Sequence, residues 1–352
     1  MKNIQLTEEN LKLLGRTVSL NGALWLGYSA SGCEFEFKGT KLEITMRGDD
    51  NILQKLPDDL PRFGVFVNGE RVLDDILKEQ EKTYTILESS EETTCTVRIL
   101  KLSATVSSTI AITEIKADGS VAPTAKKALK VEFIGDSITC AFGVDDENRD
   151  HLYSTATEDA TKGYAYLASQ LLDCDYSLVC KSGHGIVSGY TADGVKNEGA
   201  LMPLYYEMSL AGLNNALYGV PAQSTVWNFA DDCDFIVINL GTNDRTYTLG
   251  DPEKCLEYET LYVKFLKRLR ELNPKAFIIC TMGIMGDELY KQIENVVAKY
   301  TAETNDTRVA PFRLTPRPLS DGFSASWHPT IISQTRGAKE IAEYIKSKWN
   351  HA

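Results

Sequence analysis

An antiparallel β domain followed by a doubly wound α/β domain is the fold class that this sequence predicts, on three observations. From about Thr17 to Ile115 the chain runs in short segments where apolar and polar side chains alternate. Beyond about Lys130, nearly continuous apolar runs alternate with segments of helical spacing. Between them lies a stretch rich in Ala, Asp, Gly, Pro and Lys, the composition of an exposed connector.

The alternating segments are Cys33–Phe37, Leu42–Met46, Gly64–Gly69, Thr94–Leu100 and Thr109–Ile115, with turns expected at Lys38-Gly39 and Asn68-Gly69. Period-two alternation with β-branched residues predicts strands exposed on one face, the pattern of an antiparallel sandwich. The connector spans Lys116 to Lys130, and the boundary is placed after residue 122, giving domains 1–122 and 123–352. In the second domain Lys130–Ile134, Tyr176–Cys180, Phe235–Leu240 and Phe277–Thr281 have the near-unbroken apolar character of strands buried on both faces of a parallel sheet. Helical spacing predicts helices over Tyr164–Leu172 and Cys255–Leu272, the latter stopped by Pro274, and a last one over Thr330–Trp349.

A chain of 352 residues exceeds what one core usually organises, which agrees with two domains. Its net charge of -12 repels phosphate backbones and anionic membranes, so nucleic acid and membrane surfaces are not expected partners. The first fifteen residues lack the apolar core of a signal peptide, and a cytoplasmic location is expected. The eight cysteines include no C-x-x-C pair and are expected to be free and buried. Oligomeric state is left open.

Ligands of open α/β sheets gather at the carboxyl ends of the strands, so the residues after each apolar run carry the chemistry. After the first run comes Phe133-Ile-Gly-Asp-Ser-Ile-Thr-Cys140, where Gly135 permits a sharp turn and Ser137 is expected to begin the next helix. There its N–H would point toward an oxyanion formed above it, although a serine in this place also serves as a simple cap. After the second comes the glycine bend Cys180-Lys-Ser-Gly-His-Gly-Ile-Val-Ser-Gly189. After the third, Asn239-Leu-Gly-Thr-Asn-Asp244 offers the Asn243 amide as a neutral donor. Near the C-terminus, Ser324-Ala-Ser-Trp-His-Pro-Thr330 supplies His328, better placed as a base than His151 in an acidic loop, His184 in the bend or His351 in the tail. A serine, neutral donors and a histidine are what acyl transfer through a covalent intermediate requires.

The Ser137, Gly185, Asn243 and His328 blocks resemble, in order, the four blocks of the SGNH (GDSL-type) hydrolase superfamily. The preceding β domain, the Lys181-Ser-Gly-His-Gly185 form of the second block and the Trp327-His-Pro end resemble carbohydrate esterase family 2. The resemblance implies a flavodoxin-like parallel sheet behind a jelly-roll-like sandwich, and a cofactor-free, metal-free esterase that removes O-acetyl groups from xylan, glucomannan or mannan. It implies Ser137 as nucleophile, His328 as base, and an oxyanion hole of the Ser137 N–H, the Gly185 N–H and the Asn243 side chain, with Gly183 the second choice in the bend.

Most superfamily members carry an aspartate three residues before the histidine; here that residue is Ala325. Some members of carbohydrate esterase family 2 use a dyad whose histidine is held by the preceding backbone carbonyl, which would be that of Trp327, with Asp321 a distant substitute. Trp327 is also a candidate sugar platform, since an indole face offers apolar area to a pyranose ring. Two alternatives remain: a lipase- or thioesterase-type hydrolase of longer acyl esters, and a non-catalytic carbohydrate-binding protein. No zinc-type spacing, P-loop, G-x-S-x-G elbow or dinucleotide fingerprint is present.

Overall fold

A computed structural model describes residues 1–104, 108–210, 217–230 and 233–349. The chain divides into two compact units. One comprises Met1–Lys127 with Tyr153–Ala160 and Met208–Trp227; the other comprises Ala128–Leu152, Thr161–Glu207 and Asn228–Ala352.

The first unit contains β1 (Lys2–Asn3), β2 (Lys12–Leu14), β3 (Thr17–Leu20), β4 (Ala23–Leu26), β5 (Gly32–Gly48), β6 (Arg62–Val67), β7 (Glu70–Ile76), β8 (Glu81–Lys101), β9 (Ile110–Ala117) and β10 (Ser120–Pro123). Their pairings are antiparallel, in the order β3-β4-β9-β5-β8-β6-β7, with β2 and β10 also on β5 and β1 on β9. The Asn68-Gly69 turn forms as expected, both residues taking positive φ in the hairpin between β6 and β7. The Lys38-Gly39 turn does not form. Cys33–Phe37 and Leu42–Met46 belong to the single strand β5, whose pairing with β8 shifts register between Gly39 and Lys41 and again between Leu42 and Glu43.

The register shifts coincide with a feature of the burial pattern. Cys33, Phe35 and Phe37 are fully buried at odd positions, whereas Leu42, Ile44 and Met46 are fully buried at even ones. The parity of the inward face changes over the same stretch as the register shifts, in which β8 carries more residues than β5. The expected connector is also partly a strand, for β10 pairs with Phe35–Lys38 of β5.

In the second unit β11 (Lys130–Gly135), β12 (Asp175–Cys180), β13 (Phe235–Asn239), β14 (Phe277–Ile284) and β15 (Val309–Pro316) form a parallel sheet in the order β12-β11-β13-β14-β15. This is the flavodoxin-like order, in which β11 and β13 flank the point where the chain reverses its direction of winding. The helices are α1 (Tyr164–Leu172), α2 (Met202–Tyr205), α3 (Asp244–Thr248), α4 (Pro252–Leu272), α5 (Tyr290–Thr304) and α6 (Ile331–Trp349). Helix α4 begins where the Asp251 carboxylate accepts the N–H groups of Glu253 and Lys254 and Pro252 takes the first position. The eight cysteines are buried and free.

Gly39 is buried, and a Cβ there would stand 2.5 Å from Asp118 Oδ1 and 2.8 Å from the Phe37 ring. We predict that Gly39→Val destabilises the first unit by about 1–3 kcal/mol through overpacking. An unchanged urea midpoint would show that this stretch of β5 is not constrained as described.

Candidate active site

Ser137 follows β11 directly. It does not open a helix, as expected, but a run of overlapping turns from Ser137 to Asp145 in which Ala141 takes a left-handed φ of 58°. A β-carbon at Gly135 would stand 1.9 Å from Thr139 Oγ1, so only glycine allows the turn to fold back this tightly. Ser137 Oγ lies 2.9 Å from His328 Nε2, a hydrogen bond between residues 191 positions apart.

The His328 ring is fixed from two other directions. Its Nδ1 lies 3.0 Å from the Ser326 carbonyl and 3.1 Å from the Ala325 carbonyl. The orienting carbonyls are therefore these two and not that of Trp327, because Ser326 and Trp327 both adopt left-handed φ, 50° and 63°, and turn the earlier peptides toward the ring. Phe142 stacks on the imidazole at 4.1 Å between ring centroids. Sequence reasoning did not single out Phe142; its only signal was an aromatic residue five positions after the serine. Burial lowers the pKa of His328 to about 4, against the two carbonyls, which raise it. The ring is neutral at neutral pH, with Nδ1 donating and Nε2 free to accept from Ser137.

Asp321 does not substitute for the missing carboxylate. Its Oδ2 accepts from Ser333 Oγ at 2.7 Å and pairs with Arg336 at 2.6 Å, and the arginine holds it below the usual carboxylate range.

Of the N–H groups expected as oxyanion donors, that of Gly185 is engaged, already donated to the Ala200 carbonyl at 3.1 Å. Gly185 is glycine for packing: a Cβ would meet Ser188 O at 2.1 Å and Asp244 Oδ2 at 2.6 Å. Gly183, the second choice, has the suitable geometry. It takes φ of 75° in the turn closed by His184 N–H on Lys181 O, and a Cβ there meets nothing within 4 Å. No described residue accepts the N–H of Gly183 or of Ser137.

The Asn243 amide is in the site but engaged, donating to His184 O at 2.8 Å and Asp136 Oδ2 at 3.1 Å. Burial pushes Asp136 up to about 7. The next residue, Asp244, was not foreseen as important. Its Oδ1 accepts the N–H groups of Ile186 at 2.9 Å, Val187 at 2.6 Å and Ser188 at 3.1 Å, which pins the glycine bend to the start of α3. Burial raises Asp244 to about 6 while those three donors oppose the rise.

The other histidines are accounted for. His184 is buried, donates through Nδ1 to Ser182 O at 2.9 Å and packs edge-on against Tyr205. His151 lies on the surface between Asp146 and Asn148, and His351 is outside the described residues. Trp327 is half exposed, edge-on to Phe323 at 5.0 Å, with the Arg149 guanidinium 4.3 Å above its ring.

We predict that His328 titrates at about 4 when followed by NMR. A midpoint near the ordinary value of about 6.5 would contradict the buried neutral ring.

Residues 13–125 match the carbohydrate esterase 2 N-terminal family, and residues 133–331 match the GDSL-like lipase/acylhydrolase family. The cellulase/esterase CelE of Acetivibrio thermocellus is 26% identical over 332 residues, 91% of this chain but 37% of that protein. An acetylxylan esterase/glucomannan deacetylase of Cellvibrio japonicus is 31% identical over 290 residues, covering 77% of this chain and 73% of that protein. Among solved structures, the acetyl xylan esterase Est2A of the rumen bacterium Butyrivibrio proteoclasticus aligns over 99% of this chain and 98% of its own, with a TM-score of 0.88 at 25% identity. A family two carbohydrate esterase from Clostridium thermocellum, solved in complex with cellohexaose, shares the fold at a TM-score of 0.82 and 22% identity, over 97% of this chain and 99% of its own. The chain thus belongs to the GDSL-like (SGNH) lipase/acylhydrolase family, with the N-terminal domain of carbohydrate esterase family 2 ahead of the α/β unit.

Proposed function

We propose that this chain is a serine esterase that releases acetate from O-acetylated plant-type glycan such as xylan, glucomannan or mannan. The observation that carries the reading is the 2.9 Å contact between Ser137 Oγ and the neutral Nε2 of His328. In the first step Ser137 Oγ attacks the acetyl carbonyl while its proton passes to His328 Nε2. The tetrahedral intermediate collapses, the sugar hydroxyl leaves with that proton, and the acetyl group stays on Ser137. Water then attacks the acetyl-enzyme, again giving its proton to His328, and acetate departs as Ser137 recovers it. The imidazolium is stabilised by the carbonyls of Ala325 and Ser326, a dyad with backbone in place of a carboxylate.

The oxyanion is taken by the N–H groups of Ser137 and Gly183 and by Asn243, whose amide exchanges its longer bond, to Asp136, for the developing charge. The exposed part of the Trp327 ring serves as the sugar platform. The acetyl-glycan substrate class is supported by the names of the relatives, two of them acetylxylan esterase/glucomannan deacetylases of Cellvibrio japonicus.

Asn243→Ala is expected to keep the fold and lose about 10²- to 10³-fold in turnover, roughly 2.7 to 4 kcal/mol, the usual effect of one lost oxyanion donor. Near-normal kcat in that variant would take Asn243 out of the mechanism.

The reading as a whole is tested by rates on nitrophenyl acetate, butyrate and octanoate together with acetate release from acetylated xylo- and manno-oligosaccharides. Acetate should be the preferred acyl group, and Ser137→Ala should abolish release. A maximum beyond butyrate would turn the assignment toward a longer-chain acyl hydrolase, undiminished release by Ser137→Ala would take Ser137 out of the mechanism, and no release by the parent chain on any of these esters would leave a binding protein.

A further inference from the structure

The carboxylate absent at residue 325 leaves a question of what aims the base. The segment Ser324–His328 contains two consecutive left-handed residues, Ser326 and Trp327, a conformation that L side chains adopt at a cost and keep only when their surroundings impose it. The surroundings are a single loop. The Ala325 N–H donates to the Asp146 carbonyl at 2.9 Å, and the Ser326 N–H donates to the His151 carbonyl at 3.0 Å. The Ser326 hydroxyl adds a second bond to the same His151 carbonyl at 3.1 Å. Gly143, at the head of this loop with φ of 61°, comes so close that a Cβ on it would lie 2.7 Å from the Ala325 Cβ. Ala325 is itself fully buried.

One peptide group joins the two sides. The carbonyl of Ala325 faces His328 Nδ1, and the N–H of the same peptide, that of Ser326, donates to His151 O. Hydrogen bonds in series polarise one another, so an acceptor at the N–H end strengthens the carbonyl that meets the imidazolium. The loop's shape is set by its own side chains. His151 Nδ1 lies 2.8 Å from Asp146 Oδ2, and its Nε2 lies 3.0 Å from the Asn148 amide nitrogen. Asp146 Oδ1 accepts the Asn148 N–H at 3.0 Å, and Asn148 Oδ1 accepts the Asp150 N–H at 3.0 Å. The mechanism described above uses none of these side chains.

We propose that the loop Asp146–His151 is the positioning element for the base, with the His151–Asp146 side-chain pair holding the backbone carbonyls that lock the Ala325–Ser326 peptide against His328. His151 touches no reacting atom and acts only through the peptide. The proposal rests on the Ser137–His328 reading and deepens it, placing outside the histidine's own segment what a carboxylate does elsewhere in the superfamily.

The test compares His151→Ala, His151→Asn and, as a control away from the relay, Asp321→Asn. Each is assayed for kcat and KM on nitrophenyl acetate and for the rate at which an aryl diethyl phosphate labels Ser137. That labelling forms a phosphorus–oxygen bond to Oγ, expels the aryl oxide and sends the serine proton to His328, so it reads the base without the acetyl glycan. His151→Ala is expected to lose about tenfold in both kcat and labelling rate, the scale of a slight misplacement of a catalytic group, with KM within about twofold. His151→Asn, whose amide N–H can reach Asp146, is expected to recover most of that loss, and Asp321→Asn to match the parent. An indifferent His151→Ala, an effect confined to KM, or an Asn variant as impaired as the Ala variant at unchanged melting temperature would each overturn the proposal. A parent chain that resists labelling altogether would instead overturn the esterase reading, and this proposal with it.

Discussion

A neutral imidazole aimed at a serine hydroxyl is the arrangement on which the rest of the second unit converges. A histidine left in water would be partly protonated near neutrality and free to rotate. Here burial keeps the ring uncharged, Phe142 stacks against one face of it, and two carbonyls fix the tautomer from the Nδ1 side. A carboxylate would stabilise the imidazolium more strongly, because a full charge outweighs two dipoles. The carbonyls have a compensating property: they leave the resting site without a buried negative charge beside the base, so the free ring is not driven to hold a proton. The small Ala325 is part of this solution, since Gly143 packs directly on its methyl group.

On the side of the glycine bend, neighbouring residues divide the work. Asn243 reaches across to Asp136 and to the His184 carbonyl, and Asp244 gathers three successive amides of the glycine bend. Three N–H donors around a buried carboxylate make a rigid anchor, so the bend that carries Gly183 is held in place from beneath. Gly183 and Gly185 of the bend accordingly answer to different demands. Gly183 is needed for its backbone angle in open space, and Gly185 for the close approach of a carbonyl and a carboxylate.

Much of this was legible in the residues. Strands buried on both faces declare themselves by unbroken apolar runs, which is why the cores of β11 to β14 and the extent of α1 stood out, and the order of the four blocks brought Ser137 and His328 together across 191 positions. What stayed hidden depends on backbone angles that composition does not encode. The carbonyl facing His328 was misassigned because nothing in Ser326-Trp327 announces two left-handed residues in a row. Gly185 was preferred to Gly183 because a G-x-G spacing does not say which N–H is already taken by Ala200. Lys38-Gly39 reads as a turn although the strand runs through it, because a glycine in an alternating run serves either a turn or an irregularity within a strand, and only the cross-strand pairing decides between them.

The division of the chain bears on how such a protein can be taken apart or recombined. Tyr153–Ala160 and Met208–Trp227 belong to the first unit although both lie well inside the stretch that encodes the second. A gene fragment ending near codon 122 would therefore deliver an accessory domain missing two of its own pieces, and the remainder would carry those pieces with nothing to complete them. Simple end-to-end fusion at that point would split the first unit, so the two units are best handled as one cassette.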